Sequence, residues 1–378
     1  MKKVTTRIGD FIKIYKGKKA VLVSDSQEGD YQRFIQIDDL RNNNKLKFTT
    51  SKGVSVNPND IIIAWDGANA GTIGHGLSGI IGSTLAKIEI QKNNIIPQYL
   101  GWFLKGKFRY LRDRCTGATI PHISREVLTN ILIPLPSIED QKCIVKILDA
   151  ADALRQKRKQ AISLLDDYIN STFFNMFVCA SKEKNIPLVS LDKLSSKITD
   201  GVHAKPHYVD SGIPFISVKN ITTTKLKFEN CKFVSLLDHQ NFTKRCKAES
   251  GDILYTKVGA TYGRACVVDT EKEFSLYVSV SLIKPKKDLV DPTFLKAVLN
   301  STFVKRQADK SVKGAGVPDL HLIEIKKFKI PLPSMKEQKK FSKLVLDSEL
   351  LKQKMIAQSE DLETQFKALI QKAFKGEL

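Results

Sequence analysis

The sequence predicts an α/β (α+β) chain: two similar globular domains separated by two long helices that pair as an antiparallel coiled coil, with a pseudo-twofold internal repeat. Three observations lead there. First, Ile133-Pro134-Leu135-Pro136-Ser137-Ile138-Glu139-Asp140-Gln141-Lys142 returns 197 residues on as Ile330-Pro331-Leu332-Pro333-Ser334-Met335-Lys336-Glu337-Gln338-Lys339. Thr116-Gly117-Ala118-Thr119-Ile120-Pro121 returns at the same offset as Lys313-Gly314-Ala315-Gly316-Val317-Pro318, and Asn59-Asp60-Ile61-Ile62-Ile63 returns as Gly251-Asp252-Ile253-Leu254-Tyr255. A repeat of this length is a duplicated domain, since solenoid units run roughly 20 to 50 residues. Second, each half holds short strand-like runs followed by a proline-led helix. Third, a stretch of about 40 residues free of Pro and Gly follows each repeated proline pair, long enough for a helix of roughly 60 Å.

Residues 1–136 form the first domain. The runs Phe34-Ile35-Gln36-Ile37, Asp60-Ile61-Ile62-Ile63-Ala64 and Leu85-Ala86-Lys87-Ile88-Glu89-Ile90 are short, rich in β-branched residues and bounded by turn formers, as strands are. A helix starts near Pro97, where proline suits the first turn. Residues 137–180 form the first long helix, which Ser137 caps with Asp140 three positions on. Residues 181–333 repeat the domain, with strands at Pro214-Phe215-Ile216-Ser217-Val218, Asp252-Ile253-Leu254-Tyr255 and Tyr277-Val278-Ser279-Val280-Ser281-Leu282-Ile283 and a helix from Pro292. Residues 334–378 form the second long helix, opened by the capping-box pair Ser334 and Glu337.

An approximate heptad seam runs through Ile147, Ala151, Leu154, Arg158, Ala161, Leu165, Tyr168 and Thr172. Its counterpart is Leu344, Ser348, Leu351, Met355, Gln358, Leu362, Gln365 and Leu369, with Phe341 one step before. Antiparallel pairing buries both seams within one chain. Apolar residues off the seam (Ile144, Leu148, Ile162, Ile169, Ile356, Phe366) form a second face, which packs either on the chain's own domains or on helices of a partner. Candidate partner contacts are Ile144, Leu148, Leu154, Leu165, Phe341, Leu351, Met355 and Leu362.

The 378 residues carry a formal charge of +21, with 26 Lys and Arg against 17 Asp and Glu in residues 1–180 and 35 against 23 in the rest. A basic excess on both copies fits a polyanion footprint made twice, and nucleic acid is the obvious polyanion; a plainly solvated basic surface is the alternative. The first residues lack an apolar signal core, and no apolar run approaches the ~18 residues of a membrane span. Six cysteines without a Cys-x-x-Cys pair suggest neither zinc nor a disulfide framework, and buried reduced thiols in a cytoplasmic protein are expected.

The two Ile-Pro-Leu-Pro-Ser helix starts, each behind a Gly-x-x-x-Pro loop, together with Gly117-Ala118-Thr119-Ile120-Pro121-His122-Ile123-Ser124 and Asp200-Gly201-Val202-His203-Ala204-Lys205-Pro206-His207-Tyr208, resemble the DNA-specificity subunit of type I restriction–modification systems. The resemblance covers essentially the whole chain. It implies that each globular unit is a target recognition domain for one half of a split DNA site. The helices would set the unread gap and help dock two modification subunits that methylate adenine. S-adenosylmethionine, ATP and Mg would then sit on partner subunits, a motor and nuclease (restriction) subunit among them, with no cofactor and no catalysis on this chain.

Near-misses agree with that division. Gly101-Trp102-Phe103-Leu104-Lys105-Gly106-Lys107-Phe108 has phosphate-loop spacing, yet Phe108 replaces the magnesium-holding hydroxyl and the stretch lies in a predicted helix. Asp291-Pro292-Thr293-Phe294 is like an adenine methyltransferase motif, but its counterpart Ile96-Pro97-Gln98-Tyr99 lacks the acid. For His203, His207 and Tyr208 no Cys or acidic partner completes a metal ligand set, and a hydrogen-bonding role in a loop is the expectation.

Three loop regions per half hold candidate DNA contacts, either as base and phosphate ligands or as plain turns. The first offers Trp65, Asn69 and Thr72, matched by Lys257, Thr261, Tyr262 and Arg264. The second offers Arg112, Arg114 and Thr119, matched by Lys310 and Lys313. The third offers Lys18 and Lys19, matched by His203 and Lys205. Two other classes stay open: a bridging coiled-coil scaffold, which would need near-identical copies, and a methyltransferase with built-in recognition, which would need a cofactor loop.

Overall fold

In the computed structural model, residues 5–41, 46–117, 119–181, 183, 185–313 and 316–378 are described. Ala118, Gly314 and Ala315 of the repeated Gly-x-x-x-Pro loops lie outside them. The chain forms two compact units, residues 1–159 with 358–378 (unit 1) and residues 160–357 (unit 2).

Unit 1 contains strands β1 (Thr5–Arg7), β2 (Ile12–Lys16), β3 (Gln32–Ile35), β4 (Lys47–Thr49), β5 (Val54–Val56), β6 (Ile61–Ala64), β7 (Ile73–His75), β8 (Gly79–Ile81), β9 (Leu85–Ile90) and β10 (Leu132–Pro134). They form an antiparallel sheet ordered β2-β9-β6-β7, a mixed sheet β4-β3-β8-β5 and the pair β1-β10. Helix α1 (Pro97–Gly106) covers the first sheet, and α2 (Ile138–Phe173) follows the repeated proline pair.

Unit 2 repeats the plan with β11 (Leu188–Ser190), β12 (Ser195–Asp200), β13 (Ile213–Ile216), β14 (Lys232–Val234), β15 (Ile253–Thr256), β16 (Ala265–Val267), β17 (Ser275–Leu276), β18 (Val280–Pro285) and β19 (Lys329–Pro331). Its sheets are β12-β18-β15-β16, β14-β13-β17 and β11-β19, with helices α3 (Pro292–Asn300) and α4 (Met335–Lys375). Each long helix starts in one unit and finishes in the other.

Why the central strand is apolar throughout is visible in its alternation. Ile61 and Ile63 enter the core under α1, whereas Ile62 and Ala64 enter the smaller core under the mixed sheet. Unit 2 does the same, with Ile253 and Tyr255 on one side and Leu254 on the other. A strand buried on both faces leaves its loop fixed at both ends, which matters for what that loop displays.

The repeated motif has three parts with three tasks. Ile-Pro at each copy makes the short strands β10 and β19, which pair with the first strand of their domain at Thr5↔Pro134 and Leu188↔Pro331. Ser137 and Ser334 cap the helices, accepting from the amides of Asp140 and Glu337. The glutamine is the least expected part. Gln141 is fully buried; its Oε1 accepts from the Ile96 amide at 2.9 Å, and its Nε2 donates to the carbonyls of Asn94 at 3.0 Å and Pro136 at 3.1 Å. Gln338 repeats all three bonds with Asp291, Leu289 and Pro333. Each glutamine thereby ties its long helix to the start of the short proline-led helix.

Within each unit the long helices run antiparallel, as expected. In unit 1 Leu148 packs with Phe366 and Ala373 while Arg155 bonds Glu363; in unit 2 Phe173 stacks on Phe341 while Asp166 bonds Lys352. The seam itself needs correction at alternate positions. Ile147, Leu154 and Tyr168 are exposed, as is Leu351, and the buried line passes one residue later, through Leu148, Arg155 and Ile169. Arg155 and Lys352 lie 197 residues apart and occupy the same seam position, as Asp166 and Glu363 do on the facing helix. Long aliphatic stems fill the groove while the charged heads find acids, so apolar identity alone picks the wrong neighbour. The second face packs on the chain's own domains at Ile144, Leu148, Ile169 and Phe366.

Candidate nucleic-acid interface

The first loop region leaves β6 through a glycine turn. Gly67 has φ +91° and Gly259, its counterpart after β15, has φ +83°; a Cβ at either would meet no atom, so it is the left-handed backbone that selects glycine. The turn closes with Gly71 donating to the Ala64 carbonyl and Gly263 to that of Thr256, both at 2.8 Å. Asn69 accepts from Arg41 at 2.6 Å, and the Thr72 hydroxyl donates to the Asn69 carbonyl at 2.8 Å. In unit 2 the Thr261 carbonyl accepts from the Thr256 hydroxyl, Tyr262 donates to Asp309 at 2.6 Å under the ammonium of Lys305, and Arg264 is exposed.

The second loop is bonded to the first. The Gly67 amide donates to the Pro121 carbonyl and the Ile123 amide to that of Trp65, both at 2.9 Å. Gly259 with Pro318 and Leu320 with Lys257 repeat the two bonds at 2.9 and 2.8 Å. Arg112 reaches the Gly67 carbonyl at 3.1 Å, so it holds the turn from behind. Arg114 is exposed and lies over the Tyr110 ring, and Thr119, Lys310 and Lys313 are exposed.

The third region begins at Gly17 and Gly201, one residue past β2 and β12. There a Cβ would come within 2.2 Å of the Gly82 carbonyl oxygen and 2.0 Å of that of Leu276, so only glycine allows this close crossing. Lys18, Lys19, His203 and Lys205 follow, all exposed.

Charged side chains join the three regions at one junction in each unit. In unit 1, Asp66 of the first loop accepts from Lys16 at 2.7 Å and meets Nδ1 of His122 at 2.6 Å. Burial favours the protonated Asp66 carboxyl, but Lys16 and His122 outweigh it and hold its pKa below the ordinary carboxylate value. In unit 2, Asp200 at the end of β12 meets Lys257 at 3.4 Å, His203 at 3.2 Å and Arg245 at 3.2 Å, and Lys257 also lies 4.0 Å from Asp319. Lys257 is therefore buried in an ion pair, which corrects its assignment as a DNA contact: its head neutralises Asp200 instead of facing solvent. Trp65 is half-buried against the core.

The loops singled out in the sequence meet in each unit, but the sequence reading misses what joins them. Asp66, Arg245 and Asp319 carried no motif, and His122 and Asp200 stood in the stretches that carry the resemblance without any sign of their partners; apart from His203, only three residues from Asp200, the paired residues lie 45 to 62 apart. Among the partner candidates, Leu148, Phe341 and Met355 are buried and Ile144, Leu165 and Leu362 half-buried, so the first three belong to the chain's own packing; Leu154 and Leu351 stay about half exposed, at 51% and 48%. The phosphate-loop-like stretch begins inside α1, not between strand and helix. Cys143 and Cys179 are exposed, against the expectation of burial. Among the described residues no group of three or more His, Cys, Asp or Glu could hold a metal ion, and no helix is long and apolar enough to cross a membrane.

Comparison with known proteins places this geometry. The sequence profile of the type I restriction modification DNA specificity domain matches twice, over residues 2–164 and 197–357. The chain is 33% identical over 355 residues to the type I restriction enzyme MjaVIII specificity subunit of Methanocaldococcus jannaschii, covering 88% of this chain and 83% of that one. It is 24% identical over 386 residues to the EcoBI specificity subunit of Escherichia coli, covering 91% and 79%. The crystal structure of a type I restriction-modification S subunit from M. genitalium shares the fold with TM-score 0.54 at 16% identity, covering 98% of this chain and 96% of that one. A chain from a structure describing complex assembly and conformational transition of the type I R-M system superposes with TM-score 0.62 at 16% identity, covering 99% and 98%. With two matched domains on one framework, the chain belongs to the type I restriction–modification DNA specificity family.

Proposed function

We propose that this protein is the sequence-reading subunit of a type I restriction–modification complex, each unit reading one half of a split site in double-stranded DNA. The observation that carries this is the duplicated three-loop junction: one backbone framework, used twice, displaying different side chains. A symmetric scaffold has no use for that divergence. The exposed Lys18, Lys19, Arg114, Lys205, Arg264, Lys310 and Lys313 supply positive charge around the loops for phosphates. The long helices set the unread gap, and their exposed stripes, Leu154 and Leu351 among them, dock two modification subunits. S-adenosylmethionine, ATP and Mg belong to those modification subunits and to the restriction subunits of the assembly, and this chain is non-catalytic.

Mapping methylated adenines in the host with and without the gene tests the reading. A split motif that disappears on deletion and returns with the gene is expected; a pattern indifferent to both contradicts it. Titrating radiolabelled S-adenosylmethionine onto the isolated chain separates the methyltransferase alternative, for which stoichiometric binding is required.

A further inference from the structure

Three positions of the shared framework meet at the junction: the end of β2 or β12, the first residues of the loop after β6 or β15, and the residue bridged to that loop from the second region. In unit 1 they are Lys16, Asp66 and His122. In unit 2 they are Asp200, Lys257 and Asp319, the lysine standing one place earlier in its loop than the aspartate does. Lys16 and Asp200 are equivalent by strand register, since Lys16 faces Ala86 and Asp200 faces Ser281, the second residues of β9 and β18. His122 and Asp319 are equivalent because each forms the same two bridges, to Asp66 and Thr116 or to Val258 and Lys313. The groups run basic–acidic–basic in unit 1, with His122 as the outer base, and acidic–basic–acidic in unit 2, where Arg245 and His203 also face Asp200 from outside the three positions.

We infer that these junctions are latches of opposite polarity that make the three loops of each unit an inseparable set. Moving one loop from either unit into the other sets like charges against each other: an aspartate in place of Lys16 faces Asp66, and the unit 1 loop in unit 2 puts Trp65 in place of Lys257 and Asp66 in place of Val258, removing the lysine and adding a third carboxylate beside Asp200 and Asp319. Moving all three keeps opposite charges together. Lys16, Asp66 and His122 act as positioning residues, holding the loops whose exposed side chains meet DNA. The inference rests on the DNA-reading function for its consequence, though not for the latch itself.

Two readouts keep these apart. In the purified full chain, hydrogen exchange at the Gly67 and Ile123 amides reports the bonds between the loops. Lys16→Asp is expected to raise their exchange about tenfold, as lost attraction and added repulsion favour local opening. The Gly259 and Leu320 amides of unit 2 should not change. The triple variant Lys16→Asp, Asp66→Lys, His122→Asp, which gives unit 1 the polarity of unit 2, should restore protection. Asp66→Asn, which removes attraction without adding repulsion, serves if Lys16→Asp does not fold, and should raise the same exchange several-fold. Unchanged exchange in both single variants, or no recovery in the triple, overturns the latch. In the assembled complex, Lys16→Asp should relax discrimination in one half of the methylated motif and leave the other half intact, and the triple should regain it. Faster exchange with both halves still read as before overturns the positioning role. A wild-type complex that writes no split motif sinks the DNA reading, and the exchange experiment still decides the latch.

Discussion

At the scale of single residues, stability depends on buried polar groups that have partners and on those, His75 among them, that lack one. Gln141, itself fully buried, satisfies an amide and two carbonyls through part-buried bonds. Replacing it with leucine should cost about 2–3 kcal/mol in urea unfolding, because three hydrogen bonds each contribute roughly 0.5–1.5 kcal/mol; a loss below about 1 kcal/mol would mean that the clamp is idle. His75 is the opposite case. Its Nε2 is buried without a partner, the ring lies edge-on to Trp102, and burial, with Lys105 nearby, pushes its pKa down to about 4. Unfolded, it takes its proton near the ordinary value of about 6.5. Between those values the unfolded chain binds the extra proton, so stability falls as pH drops from 6.5 toward 4, by up to about 3 kcal/mol. His75→Phe should flatten that fall between pH 7 and pH 5 in urea titrations, and an equal fall in both proteins would count against it. Neither residue was legible in the sequence. The glutamine stood in plain view inside the repeat, yet its partners lie 45 and 47 residues away on a loop that only the fold brings back.

Among the elements, the sequence revealed most where local chemistry decides alone. Serine caps, proline helix starts and the paired glycine turns all lie where spacing put them, because each depends on a few neighbouring residues. The helical seam was half legible: positions 151, 158, 165 and 172 lie on it, but alternate positions drift by one because Arg155 and Lys352 take places that an apolar count assigns to Leu154 and Leu351. The difference is measurable. Leu148→Ala removes a fully buried side chain and should cost about 2–5 kcal/mol. Leu154→Ala, half exposed, should stay within about 0.5 kcal/mol. Equal costs would restore the uncorrected seam. Lys257 shows why charge is harder to place than caps. Exposed lysine and buried lysine look the same in sequence, and its acid, Asp200, is 57 residues earlier.

For the whole molecule, duplication was the most legible feature of all, since offsets of 192 to 197 survive in framework residues while the loops diverge. That divergence is the reason why the bases read stay illegible: contact residues are the ones a repeat does not preserve. If the long helices set the unread gap, lengthening both by one heptad, after Lys159 and after Ala357, should widen it. Seven residues add about 10 Å, or roughly three base-pair steps, while the Arg155–Glu363 and Asp166–Lys352 pairs keep their partners. Adenine methylation mapping should then return the same two half-sites farther apart. Changed bases at constant spacing would contradict the helical ruler.

The central claim, that two units read independently, is tested most directly by exchanging one of them. Residues 181–333, between the repeated Pro-Leu-Pro segments, would be replaced with the equivalent domain of a relative that writes a different motif, and methylated adenines would be mapped in the host. One half of the motif should become the relative's and the other half should remain. A change in both halves, or in neither, would contradict the account.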